Sequence, residues 1–404
     1  MRWKSASPAS SNSNDWVLAS CNKALPVTST AERERVCGAL LRYETRESSP
    51  LFTQSDLFIS GEGGYHTYRI PALLTTGSGT LLAFCEGRKH GPGDAGYIDL
   101  LLRRSFDNGV TWGPVQLVAS DPPHTVGNPA PVFDRETGII WLLFCRNNGD
   151  GGEEKITAGK APRTVWVTHS SDEGATWATP QEITGAVKRA NWTWYATGPV
   201  HGIQLRSGRL LIPCDHMVGV HFDRRSDPYH SHVIYSDDHG ETWRIGGIVP
   251  EGTNESVAVE LEDGSVYINC RNYRGQKRRA YAISTDQGST FGEFGWVDQL
   301  VEPVCQASMI RFTDRATHGK NRVLFSNPAS TERERLTVRL SYDECRSWND
   351  GKVLHAGPAA YSDLCITTNM EICCLYERGE QRPYERLTLA RFDLAWLTDG
   401  ADTL

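Results

Sequence analysis

The chain has 404 residues, 39% hydrophobic and 23% charged, which excludes a disordered protein and leaves ample material for a core. With 42 Lys and Arg against 49 Asp and Glu, the net charge of −7 opposes nucleic acid and anionic membranes, so an anionic ligand must be caught by a local cluster of cations. No apolar run approaches the roughly 18 residues of a membrane helix, so no membrane span is expected.

Residues 1–50 are rich in Ser, Pro, Asn and Thr and read as an N-terminal extension, with one helix-like piece near 30–42. The start has basic residues but no apolar stretch like that of a secretory signal, which favours a cytoplasmic protein. From Leu51 to residue 398 the pattern is one of short β-rich runs, at 80–84, 139–144, 164–168, 210–213, 265–269 and 322–325. Each is bounded by Gly, Asn, Asp or Pro, and helical periodicity is nearly absent, so the body is expected to be all-β. Residues 399–404 form a short tail. The 11 cysteines are scattered without CxxC pairs, which predicts free, buried thiols.

An internal repeat, Ser-x-Asp-x-Gly-x-Thr-Trp, decides the architecture. It begins at Ser105, Ser170, Ser236, Ser284 and Ser341, with Phe291 for Trp in the fourth copy and Cys345 for Gly in the fifth. The spacings of 65, 66, 48 and 57 residues suit a four-stranded blade plus loops. In each copy the Asp is expected to accept from turn N–H groups, the Gly to take a positive φ and the aromatic to pack under its own blade. Each copy would join the outer strand pair of one blade. Five boxed blades and one without a box make a six-bladed β-propeller, in which the chain's first and last strands must share a blade. The run at 387–392 is the candidate closing strand.

Tyr68-Arg69-Ile70-Pro71 ahead of the first box and the five Asp boxes themselves resemble the exo-α-sialidase (neuraminidase) family, of bacterial and animal type. Further matches, in the family's order, are Asn269-Cys270-Arg271-Asn272, the run at 333–341, Ala360-Tyr361-Ser362-Asp363-Leu364 and Leu375-Tyr376-Glu377. The resemblance implies hydrolysis of terminal α-linked sialic acids on oligosaccharides, glycoproteins and gangliosides, with no cofactor and no metal.

Sialic acid carries a carboxylate on its anomeric carbon, which Arg matches with a planar, permanently charged fork. The family's three-arginine clamp falls on Arg69, Arg271 and Arg333, with Arg335 a rival for the third, and Glu377 matches the carboxylate that steadies the first arginine. A carboxylate nucleophile beside the substrate's own would meet roughly 4 kcal/mol of repulsion at about 4 Å and an effective dielectric near 20. A phenol avoids this, and sialidases are the exception that uses one. The resemblance gives that role to Tyr361, with Glu255 as its base in preference to Glu251 or Glu260. It gives the acid/base role to Asp94, in a loop of three glycines and Pro92, in preference to Asp99. Glu86 and Arg88 match the residues that hold the ring hydroxyl opposite the anomeric end. Asn128 and Tyr195 stand where the family lines its pocket.

Other signals do not carry a site. His216, His221, His230 and His232 fit no zinc spacing, the basic stretch at 271–279 reads as a solvated loop, and Gly61-Glu62-Gly63-Gly64 lacks the Lys and helix of a phosphate loop. The rival reading is a lectin-like propeller that binds sialic acid without cleaving it. Within the enzyme class a trans-sialidase, an anhydro-sugar-forming enzyme or one preferring the deaminated sugar shares this chemistry.

Overall fold

A computed structural model describes residues 50–221 and 228–404; the extension and its helix-like piece lie outside them. The body consists of antiparallel blades. β1 (Phe52–Ile59) is set apart from its sequence neighbours. β2 (Thr67–Thr75), β3 (Leu81–Arg88), β4 (Ile98–Ser105) and β5 (Gln116–Ala119) form the first blade, and β6 (Thr125–Phe133), β7 (Ile140–Asn147), β8 (Arg163–Ser170) and β9 (Gln181–Glu182) the second. In the third, β10 (Trp192–Thr197) and β11 (Ile203–Gln204) share the inner position beside β12 (Leu210–Val218), followed by β13 (Tyr229–Ser236) and β14 (Arg244–Ile248). The fourth is β15 (Thr253–Glu260), β16 (Val266–Asn272), β17 (Arg278–Ser284) and β18 (Glu293–Val301).

The last two blades share a strand. β19 (Ser308–Thr313), β20 (Arg322–Pro328) and β21 (Glu334–Ser341) are completed by the first half of β22 (Lys352–Ile366), whose second half opens the sixth blade with β23 (Ile372–Arg378) and β24 (Arg386–Phe392). β1 supplies the outer strand of that blade, pairing antiparallel with β24 from Phe52↔Phe392 to Ile59↔Arg386. The expected closing strand is therefore the one that receives the N-terminal strand.

Side-chain packing joins successive blades. Six buried clusters bridge neighbouring blades, the cluster of Leu57, Tyr68, Leu81, Cys373 and Leu389 joining the sixth to the first. Asp363 on β22, fully buried, accepts from Leu73 N at 2.8 Å, His201 N at 3.2 Å and Ser308 Oγ at 2.7 Å, so one carboxylate ties four blades near their inner edges. The nine described cysteines are buried thiols. No described helix is long and apolar enough to cross a membrane.

Each box is the turn between the third and fourth strands of its blade. In the first, Asp107 accepts from Thr111 N at 2.9 Å and Thr111 Oγ1 at 2.6 Å, while Ser105 Oγ accepts from Gly109 N at 2.9 Å. The other four repeat this scheme, and Cys345 adopts the glycine's conformation at φ 66°. The aromatics differ from expectation: Trp112, Trp177, Trp243, Phe291 and Trp348 belong to the clusters shared with the preceding blade, not beneath their own. The box glycine explains why. At Gly240 (φ 94°) a Cβ would stand 2.1 Å from Trp141 of the second blade, so the turn lies flush against its neighbour and its aromatic wedges into the same seam.

Candidate active site

Inner strands are pleated, so a regular ladder would point alternate side chains into the flanking blades. Five of them instead break register at the same end of the blades. The irregularities lie between Arg69 and Ala72, Gly127 and Ala130, Trp192 and Tyr195, Thr253 and Ser256, and Ala359 and Ser362. Such bulges re-aim side chains. Arg69, Asn128, Trp194, Asn254, Glu255 and Tyr361, all at these points, line one cavity of about 860 Å³. Two of the bulges are strained: Ile70 has φ 60° and Asn128 φ 58°, and a β-branched residue in that region is a true outlier. Glu377 holds the first in place by accepting from Ile70 N at 3.0 Å.

The three arginines come from separate elements, Arg69 from β2, Arg271 from β16 and Arg333 from the turn ahead of β21, and they converge on Tyr361. Arg271 Nη1 lies 3.1 Å from the Tyr361 hydroxyl, while the guanidinium carbons of Arg69 and Arg333 lie 5.1 and 5.6 Å from its ring centre. Arg69 donates Nε to Glu377 Oε1 at 3.0 Å and is further covered by the Tyr384 ring at 4.1 Å. Glu377 is fully buried and also accepts from Tyr361 N at 3.1 Å, so one carboxylate fixes both the arginine and the tyrosine backbone. Arg271 Nε is buried without a partner, and Arg333 Nη1 donates to Tyr384 at 2.6 Å. Arg335 is exposed and does not line the cavity.

Tyr361 donates to Glu255 Oε1 at 2.5 Å, and the other Glu255 oxygen accepts from Arg271 Nη1 at 2.6 Å. Burial and then the Glu255 charge push the Tyr361 hydroxyl well above its usual range, against the pull of Arg271 and Arg333. The protonated phenol is thus favoured, hydrogen-bonded to the Glu255 carboxylate.

Asp94 stands at the cavity mouth, its side chain 70% exposed, 2.7 Å from Arg88 Nη1 and 3.2 Å from Arg69 Nη1. Desolvation raises its carboxyl, but Arg88 and Arg69 outweigh that and hold it below the usual carboxylate range. Asp99, the rejected alternative, is buried and accepts from Tyr65 at 2.8 Å outside the cavity. Arg88 and Glu86 line the cavity as a buried pair at 2.7 Å, and the second Glu86 oxygen accepts from Asn128 N at 2.8 Å.

Tyr195 is the sequence-derived residue that the fold does not bring to the cavity. It is fully buried among Trp192, Cys145 and Cys214, its hydroxyl 3.2 Å from His232 Nε2. The bulge ahead of it turns Trp194 inward instead. His216 stacks on Trp192 at 3.5 Å in the same layer, and burial with neighbouring imidazoles depresses both His216 and His232, the latter to about 3.

Sequence reading passed over several lining residues: Arg163, whose guanidinium lies 4.2 Å from the Trp194 ring centre, Asp215, Tyr229, Tyr273 and Tyr384. Asp215 and Arg163 are strand residues flanking the apolar runs at 210–213 and 164–168, and that continuation was the available signal.

A six-bladed propeller thus brings Arg69 from an inner-strand bulge, Arg271 from β16 and Arg333 from a turn around one tyrosine–carboxylate pair. A family profile described as a BNR repeat-like domain matches residues 79–374. The chain is 35% identical to the sialidase of Micromonospora viridifaciens over 86% of its length but spans only 55% of that protein. It is 33% identical to Sialidase-3 of Mus musculus, covering 86% of this chain and 96% of the relative. A solved structure, the Hadza microbial sialidase Hz136, superposes with TM-score 0.75 at 29% identity, covering 85% of this chain and 69% of that one. The chain belongs to the sialidase family of glycoside hydrolases.

Proposed function

We propose that the chain is a retaining exo-α-sialidase acting on sialylated glycans through a tyrosine nucleophile. The observation that carries this reading is the 2.5 Å hydrogen bond from Tyr361 to Glu255 beneath three arginines. The substrate carboxylate enters the socket of Arg69, Arg271 and Arg333, where the unpartnered Arg271 Nε awaits an acceptor. It displaces Asp94 from Arg69. Loss of that cation allows the Asp94 carboxyl to rise toward the range of a general acid.

Tyr361 Oη then attacks the anomeric carbon and passes its proton to Glu255, while the glycosidic bond breaks and its oxygen takes a proton from Asp94. In the second half a water attacks the same carbon, giving its proton to Asp94, and Tyr361 recovers its proton from Glu255. Glu86 and Arg88 serve the ring hydroxyl opposite the anomeric end, with Asn128 beside them. Arg271 Nη1, 3.1 Å from the phenolic oxygen before reaction, is already in place to stabilise its change of charge, the kind of preorganised stabilisation that lowers a barrier most.

Tyr361→Phe tests the reading directly. It keeps the ring between the arginines but removes the attacking oxygen, so kcat on a fluorogenic sialoside should fall by about 10³-fold or more with the melting temperature unchanged. Turnover near that of the unaltered protein would refute the assignment. NMR of the first-released sugar should show the α anomer; initial release of the β anomer would refute retention.

A further inference from the structure

Asp215 has no part in the mechanism above, yet it sits fully buried in the cavity wall with one oxygen, Oδ2, lacking any partner. Its other oxygen is doubly used. Oδ1 accepts from Asn254 Nδ2 at 2.9 Å and from Trp194 Nε1 at 3.0 Å. Asn254 precedes Glu255 in the β15 bulge, where the ladder to β16 is interrupted and local groups must find partners elsewhere. The third blade provides them from two adjacent strands. Asp215 on β12 takes the Asn254 side chain, and Ser231, its register partner on β13, donates Oγ to the Asn254 carbonyl.

We propose that Asp215 is a positioning residue for the nucleophilic pair, pinning the bulge that aims Glu255 at Tyr361 and holding the Trp194 indole of the neighbouring strand with the same oxygen. This deepens the sialidase reading and rests on it. The groups facing Asp215 are Glu255 on β15, Glu153 on the short helix α1 (Glu153–Thr157), Arg163 on β8 and Arg271 on β16, with Tyr195, Tyr229 and Tyr273 around them. Burial first, then Glu255 and Glu153, push its carboxyl well above the usual range, and Arg163 and Arg271 offset this only in part. Its surroundings thus favour the neutral carboxyl over the ionised one. Its ionisation at alkaline pH would set a second negative charge beside Glu255.

Steady-state kinetics on a fluorogenic sialoside across pH, with melting temperatures as a folding control, test the proposal. Asp215→Ala should lower kcat by about 10- to 100-fold with a smaller change in KM, as expected when reacting groups are misplaced rather than binding lost. Asp215→Asn keeps an acceptor oxygen and cannot ionise, so it should recover kcat to within about threefold of the unaltered protein and flatten the alkaline fall in kcat. Should Asp215→Ala not fold, Ser231→Ala removes the other half of the grip and should lower kcat with KM held.

The proposal is overturned if Asp215→Asn loses as much activity as Asp215→Ala, if its alkaline limb is unmoved, or if Asp215→Ala or Ser231→Ala retains full kcat. Absence of sugar release by the unaltered protein would overturn the sialidase reading itself. An active parent with insensitive variants would overturn the positioning role alone.

Discussion

The inner bulges and the outer boxes are both local departures from a regular strand, each present in five of six blades, and they use opposite strategies. Every box performs one task, closing a hairpin flush against the preceding blade, so the boxes repeat one pattern with few exchanges, Phe291 for Trp and Cys345 for Gly among them. The bulges each deliver a different group to one cavity: an arginine, an asparagine, a tryptophan, a glutamate and a tyrosine. Repetition in sequence therefore marks the scaffold, and its absence at an equivalent place in each blade marks the chemistry.

If that division is right, altering the bulge side should change catalysis without changing stability. After Tyr361→Phe, the largest effect is expected at Arg271. Arg271→Lys preserves a positive charge but removes the planar guanidinium, whose Nη1 alone meets both Glu255 and the Tyr361 oxygen and whose other nitrogens are left for a substrate carboxylate. It should cost about 10²-fold or more in kcat/KM, with the melting temperature within a few degrees of the parent. A near-normal kcat/KM would remove Arg271 from the clamp.

What the sequence disclosed follows the same line. The boxes located five of the six blades and the outer hairpin of each, because their chemistry is local and repeated; the sixth, closing blade carries none. Strand ends were less legible. The apolar runs at 80–84, 210–213 and 265–269 stop where β3, β12 and β16 run on into Glu86 and Arg88, Asp215, and Arg271. Hydrophobic patterning fails at the cavity because buried polar groups there answer to a ligand and not to the core. Tyr195 failed for a related reason. A bulge shifts the inside–outside alternation by one, and nothing in Trp192-Thr193-Trp194-Tyr195 announces it. Arg69, Arg271, Arg333, Glu255 and Tyr361 were found only because the family motifs mark them; their convergence spans four blades and no spacing encodes it.

The scaffold side predicts the reverse behaviour. Gly240 at φ 94° faces Trp141 so closely that a Cβ would stand 2.1 Å from its ring. Gly240→Ala should therefore destabilise the fold by about 2–4 kcal/mol in denaturant unfolding while leaving kcat of the folded fraction unchanged. A larger effect on kcat than on stability would show that seam and cavity are coupled. Asp238→Ala, which strips three hydrogen bonds from the same turn, should cost less, about 1–2 kcal/mol.

The smallest effect separates the two regions by its origin. Thr111 and then Ser105 hold the Asp107 carboxyl down to about 2 through hydrogen bonds, and Thr176 and Ser170 do the same for Asp172, both at exposed turns. Because the folded value lies below the ordinary 3.8, this contribution is present above about pH 4 and lost as pH falls through about 2. It should resist salt, since it comes from short hydrogen bonds and not from distant charges. Asp94 is also depressed, but by Arg88 and Arg69, so its titration should move with ionic strength and with any anion occupying the arginine socket. Carboxyl titration by NMR in low and high salt reads both groups at once. Equal salt sensitivity of Asp107 and Asp94 would contradict the division, because it would mean that the boxes, like the cavity, are held by charge.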